Sequence, residues 1–318
     1  MTAPRPSDDT RAGGLLDAAL LPDVPAAGAP LTGATRRRPD GASLWLRRIG
    51  ALLFWACAQV VFLIPQLHIP PAVGVLLNGA IAAGFVWWFV ARRAARADRR
   101  RLATFRIRPV APEAARWIVP AAAAMVAVVM AALVVLPRFI RIPPDKTTFL
   151  DAYLDQPLGP AAVFVMVAVI APLLEEFVFR GWMQRSLERR TAAWTAIALT
   201  AATFGVVHGD LFGLPLRIAF GVASGYLAWR TRSIWPSVVL HGAYNGSLVM
   251  LSGALPQIDE HTLDRWAHTD AVFFPALVAL ALASLTLAWA VRGMGDAAAR
   301  VRARRALDAG RTRRHLPG

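Results

Sequence analysis

The sequence predicts an all-α fold, a polytopic membrane helix bundle of about eight transmembrane helices with both termini cytoplasmic. Three observations predict it. Uncharged apolar runs of roughly 17–25 residues, the length that crosses a bilayer core, recur along the chain. Only 17% of its 318 residues are charged, against about 25% in an ordinary soluble domain. The arginines are gathered between the runs, chiefly in alternate connections, as the positive-inside rule requires.

The first 42 residues, rich in Ala, Pro, Gly and Asp, read as a disordered cytoplasmic tail and not as a signal peptide. The first spanning helix then serves as the insertion signal. Ile49–Leu67 and Pro70–Ala91 are the first two spans, joined by a short turn through Pro70-Pro71 and followed by an arginine-dense loop over 92–101. Trp117–Pro137 is the third. A polar connection with Asp145, Asp151 and Asp155 leads to the fourth, Pro160–Met183. Ala192–Gly209, Leu214–Trp229 and Trp235–Leu251 are shorter and more polar. Phe273–Val291 is the last, closing a membrane domain of residues 43–294 before a basic cytoplasmic tail, 295–318. The net charge of +15 is accounted for by topology and by contact with anionic membrane lipid, so no nucleic-acid partner is expected. The single cysteine, Cys57, forms no internal disulfide and reads as a packed thiol.

The fourth span departs from lipid-facing chemistry. Glu175 and Glu176 stand side by side in it, with Arg180 one turn on. An ionisable group in hydrocarbon costs about 2.5–3.5 kcal/mol on insertion scales, which marks it as functional when it faces a polar cavity. Two intramembrane histidines join them: His208 at the end of the fifth run and His241 in the seventh. Asn245 follows His241 at i, i+4, on the same helical face. Along straight helices, Glu175 and His208 lie about 22–27 Å from the turn near Arg190, but His241 lies only about 12 Å from its own turn. The heights agree if Gln184–Arg190 projects beyond the bilayer, which sets the site shallowly below the cytoplasmic face.

The residue types suggest roles. A carboxylate in an apolar cavity is suited to general-base work near neutral pH. Glu175, assisted by His208, would activate water, and Glu176 would be its partner, oriented by Arg180. His241 and Asn245 would donate to the oxyanion of a tetrahedral intermediate. Glu175, His208 and His241 also match a catalytic zinc shell with an open position. The H-E-x-x-H helix signature is absent and an Asn amide is a poor zinc ligand, which favours metal-independent water activation and leaves zinc an open cofactor.

The three motifs Glu175-Glu176-x-x-x-Arg180, Phe204-x-x-x-His208 and His241-x-x-x-Asn245 resemble those of the CPBP family of intramembrane proteases. That family includes the CAAX prenyl endopeptidases and the bacterial Abi, or bacteriocin-processing, proteins. The resemblance covers roughly residues 115–251. It implies an all-helical membrane fold in the bacterial cytoplasmic membrane and hydrolysis of a peptide bond in a membrane-associated peptide or protein. It does not imply a prenylated substrate.

Plainer readings compete. The acid pair with Arg180 could be a buried ion cluster that fixes helix register, and His208 a helix-end histidine bonded to a carbonyl. His241 and Asn245 could be interhelical hydrogen-bond glue. Phe204, Trp182 and Tyr244 read as packing residues. A transporter would bury similar groups, but internal repeats are not found. A catalytically inert membrane scaffold would tolerate Glu175→Gln.

Overall fold

The computed structural model describes residues 105–142, 158–254 and 258–314, with Pro70 and seven positions between Val73 and Gly84. The expected span Ile49–Leu67, most of Pro70–Ala91, the arginine loop and the N-terminal tail lie outside the described residues. All regular structure among the described residues is helical. Five long helices follow the predicted spans: α1 (Ile118–Val135), α2 (Gly159–Glu188), α3 (Ala193–Val206), α4 (Leu214–Thr231) and α5 (Trp235–Ala254). A short amphipathic helix, α6 (Glu260–Ala267), lies in what the sequence suggests is a loop. Asp259 caps it, with the Thr262 N–H donating to Asp259 Oδ1 at 2.8 Å; hydrogen bonds from Thr262, its side chain first and its N–H second, hold that carboxyl below the usual carboxylate range. The last helix, α7 (Asp270–Arg314), runs on through most of the expected basic tail.

Among the described residues, three helices are long and apolar enough to cross a membrane: Pro112–Arg138, Gly159–Glu188 and Asp270–Asp308. At 14 residues, α3 is about 21 Å long, short of a full crossing. Helices α4 and α5 have 18 and 20 residues but carry Arg217, Ser224, Ser237, His241 and Asn245, which lower their hydropathy. The bundle is held mainly by α1 against α7, by the α3–α4 hairpin and by α5 against α1 and α2. Its core is aromatic and aliphatic, with Met125, Phe177, Phe179, Phe204, Phe220, Leu240 and Met294 all at most 2% exposed.

Helix α2 is not uniformly α-helical. Met166–Ile170 and Phe177–Gln184 are π-helical, flanking the α-helical turn Ala171–Glu176. The first stretch has a cause in Pro172. With no N–H, Pro172 cannot return a hydrogen bond to Ala168 in α register or to Val167 in π register. The Asn245 amide supplies the missing donor, reaching the Val167 carbonyl at 2.8 Å. Helix α5 can come that close because residue 242 is glycine: a Cβ there would sit 2.6 Å from the Ala168 carbonyl oxygen.

The last turns of α2 are packed. Gln184 is fully buried and donates to the Gly225 carbonyl of α4 at 2.8 Å. A strap of residues 105–108 lies across them: Arg106 pairs with Glu188, and the Ile234 N–H donates to the Arg106 carbonyl at 3.0 Å. Gln184–Glu188, within the segment expected to project, is thus packed against the rest of the protein, while Arg189 and Arg190 are exposed.

Candidate active site

Helix α2 delivers the acids and Arg180, α3 ends two residues before His208, and α5 carries His241 and Asn245. These elements meet inside the bundle. Glu175 is 6% exposed, His241 2%, and Glu176 and Arg180 are wholly enclosed. The most open member is His208, with a side chain 23% exposed, so the cluster is open towards the α3–α4 connection.

Glu176 is the structural anchor. Its Oε1 accepts from His241 Nδ1 at 3.0 Å, and its Oε2 lies 3.3 Å from Arg180 Nε. Arg180 also donates through Nη2 to Ser224 Oγ at 2.5 Å and lies over the Phe204 ring, 4.7 Å from its centroid. Ser224 is tied down in turn, since Ser237 Oγ donates to its carbonyl at 2.8 Å. The ion pairs of Glu176 are therefore backed by a hydrogen-bonded serine relay and an aromatic face. Such support is what a charge group removed from water requires.

Glu175 differs. Its Oε2 faces two imidazoles, with His208 Nε2 at 3.9 Å and His241 Nε2 at 3.8 Å. Both distances exceed direct hydrogen bonding. The partners of the opposite nitrogens set both ring tautomers. His208 Nδ1 is 2.6 Å from the Phe204 carbonyl, which can only accept, so Nδ1 carries a proton. His241 Nδ1 likewise donates to the Glu176 carboxylate. Each ring then turns its Nε2 towards Glu175. Phe204 packs edge-on against both, at 4.8 Å from His208 and 5.5 Å from His241, while Phe220 lies 4.6 Å from His241.

The structure thus brings together Glu175, Glu176, Arg180, His208 and His241 around Phe204. Asn245 is held apart from the carboxylates by its bond to Val167, and the other amide proton is not used by that bond. Sequence reasoning missed Phe220, Ser224 and Ser237. The two serines were legible as polar positions within apolar helices, whereas nothing in the pattern singled out Phe220. It also missed the pair at the open edge, where Arg217 donates to Asp210 Oδ2 at 2.6 Å and Asp210 receives the N–H groups of Phe212 and Gly213.

A zinc shell of Glu175, His208 and His241, which the sequence leaves open, does not fit this arrangement. Ligand atoms of tetrahedral zinc, with bonds of about 2.0–2.1 Å, lie roughly 3.3 Å apart, closer than the Oε2–Nε2 separations here. Among the described residues no group of three or more His, Cys, Asp or Glu is set to hold a metal ion.

Residues 157–247 match the family model described as type II CAAX prenyl endopeptidase Rce1-like. A protein of Bacillus subtilis (strain 168) named "Putative membrane peptidase YdiL" is 30% identical over 101 residues, which cover 32% of this chain and 41% of that protein. The match thus spans about two fifths of that relative's length. No solved structure matches the chain. The matched segment contains both acids, Arg180 and both histidines, and over it the chain is similar to the Rce1-like family.

Proposed function

We propose that the chain is an intramembrane endopeptidase, hydrolysing a peptide bond in a membrane-associated peptide or protein. The observation that carries the reading is the convergence of Glu175 Oε2 with the Nε2 atoms of His208 and His241 at 3.9 and 3.8 Å inside an apolar bundle. A register-fixing ion cluster needs Glu176 and Arg180, but it has no use for a second acid faced by two imidazoles.

In this scheme a water molecule sits among those three atoms. Glu175 accepts its proton as the water oxygen attacks the scissile carbonyl carbon, with His208 Nε2 orienting the water. The carbonyl π electrons move to oxygen. His241 donates from Nε2 to the oxyanion, joined by the second amide proton of Asn245. Collapse breaks the C–N bond, and the proton held by Glu175 passes to the leaving nitrogen. Glu176, Arg180 and Phe204 hold the geometry, and no step runs through a metal. General-base catalysis contributes about 10²–10⁴ in rate, and one oxyanion donor about 10²–10³.

The arginine distribution supports about eight spans with both termini in the cytoplasm, in the bacterial cytoplasmic membrane. Comparing membrane peptides from cells bearing wild-type protein or Glu175→Gln tests the activity. Cleavage products should be confined to the wild type, and His208→Ala and His241→Ala should behave like Glu175→Gln while still inserting and folding. Normal processing by any of the three would refute the mechanism and favour an inert scaffold.

A further inference from the structure

A cavity of about 560 Å³ opens between α1, α3, α4 and α7. It is separate from the acid–imidazole cluster but shares a wall with it. The Phe220 ring lines the cavity and also lies 4.6 Å from His241.

The lining is graded in polarity. At one end stand Met125, Val128, Leu216 and Phe220, which offer only apolar side-chain surface. At the other end Trp194 stacks on Tyr226, with ring centroids 5.7 Å apart, beside Arg292 and Asp296. Trp, Tyr and Arg together are the chemistry of a membrane–water interface, and the carbon-lined end is that of the hydrocarbon core. Along α7 the lining runs from Ser284 to Asp296, about 18 Å of depth. The charges at the mouth do not cancel. Asp296 is held by Arg230 at 2.8 Å, and among the described residues the exposed Arg292 has no ion-pair partner. The walls are helical, so their backbone groups are already bonded and offer no ladder to an extended peptide. A hydrocarbon chain needs none.

We propose that this cavity binds one acyl chain of an anionic phospholipid, with the lipid phosphate held at Arg292. The occupant then backs the Phe220 ring on the side opposite His241.

The test uses full-length protein in phosphatidylcholine vesicles doped with a lipid carrying a diazirine in its acyl chain, either phosphatidylglycerol or phosphatidylcholine. Irradiation should label peptides from α4 and α7, with phosphatidylglycerol preferred about fivefold, the increment one arginine supplies at an anionic surface. Arg292→Gln should bring the two probes to parity. Ala223→Phe, which fills the cavity from α4, should abolish labelling, as should Ser284→Phe from the facing wall, each in protein that stays monodisperse. Glu175→Gln should label like the wild type, so the outcome stands apart from the peptidase reading. Equal labelling by both probes in the wild type would overturn the proposal, as would label retained in both filled variants. So would displacement of the label by a prenylated peptide but not by unlabelled phosphatidylglycerol, which would make the cavity a pocket for a substrate chain.

Discussion

Adjacent glutamates with opposite jobs should respond oppositely to the same isosteric change. Glu176→Gln keeps the shape of the side chain but removes the charge that faces Arg180 at 3.3 Å and His241 at 3.0 Å, where all three groups are buried. Breaking a buried pair from one side costs about 3–5 kcal/mol, because the other charge is left without compensation. Arg180 loses its counter-charge and His241 Nδ1 loses a charged acceptor, although Ser224 and the Phe204 face retain part of the hold on Arg180. A loss of about 3 kcal/mol is the expected net effect. Glu175→Gln removes a carboxylate whose Oε2 lies 3.8–3.9 Å from the imidazoles, wider than the contacts of Glu176, and the carboxamide can occupy the same volume and keeps an accepting oxygen. Its stability should change by less than about 1 kcal/mol, while turnover falls by at least about 10². The assay pairs thermal unfolding of detergent-purified protein with cleavage of a membrane-reconstituted reporter peptide. The reasoning is refuted if Glu176→Gln is as stable as the wild type, or if Glu175→Gln keeps more than a tenth of wild-type turnover.

Gly242→Ala should destabilise the protein by about 1–3 kcal/mol through overpacking. Its Cβ would meet backbone oxygen of Ala168 at 2.6 Å, which no side-chain rotation can relieve; unfolding midpoints read this directly. Exhaustive chelation should leave cleavage by the purified protein unchanged, and loss of activity restored by added zinc would contradict the water-activation scheme. The folded-state pKa of Asp259 lies below its unfolded value. Its contribution to capping α6 is therefore complete above the unfolded pKa, near 4, and disappears as pH falls through the folded value. Amide exchange in Glu260–Ala267 should accelerate at that low pH, and Asp259→Ala should show the fast rate already at neutral pH.

Much of the bundle was legible because apolar runs and polar breaks record helix positions directly. The predicted runs from Trp117 onward each fall on a described helix, and the expected cluster of Glu175, Glu176, Arg180, His208 and His241 does meet. Chemistry made those residues visible, since charges and imidazoles are conspicuous in hydrocarbon. What escaped notice was geometric. Helix α6 is too short and too polar to stand out from a loop by hydropathy, although Asp259 followed by Thr262 was a capping signal. The length of α7 was hidden because arginines that mark a membrane boundary do not end a helix. Asn245 read as an oxyanion donor from its spacing to His241. Its bond to Val167 depends on Pro172, a proline lying 73 residues earlier in the chain, and no periodicity reveals that pairing. Whether Glu175, His208 and His241 stand close enough for a zinc ion turns on distance, which composition does not encode.

The π-helical stretch Met166–Ile170 makes the site's response to residue count depend on place. Each residue turns an α-helix by about 100°, but a π turn holds one residue more than an α turn. Deleting a single residue within Met166–Ile170 should therefore relax the stretch to ordinary α-helix and leave the direction of both acids unchanged. A deletion in the α-helical turn from Ala171 to Leu174, where there is no surplus residue, should swing the carboxylates away from His208 and His241. Functional variants of this chain should tolerate the loss of one residue in the π stretch and none in the turn just ahead of Glu175.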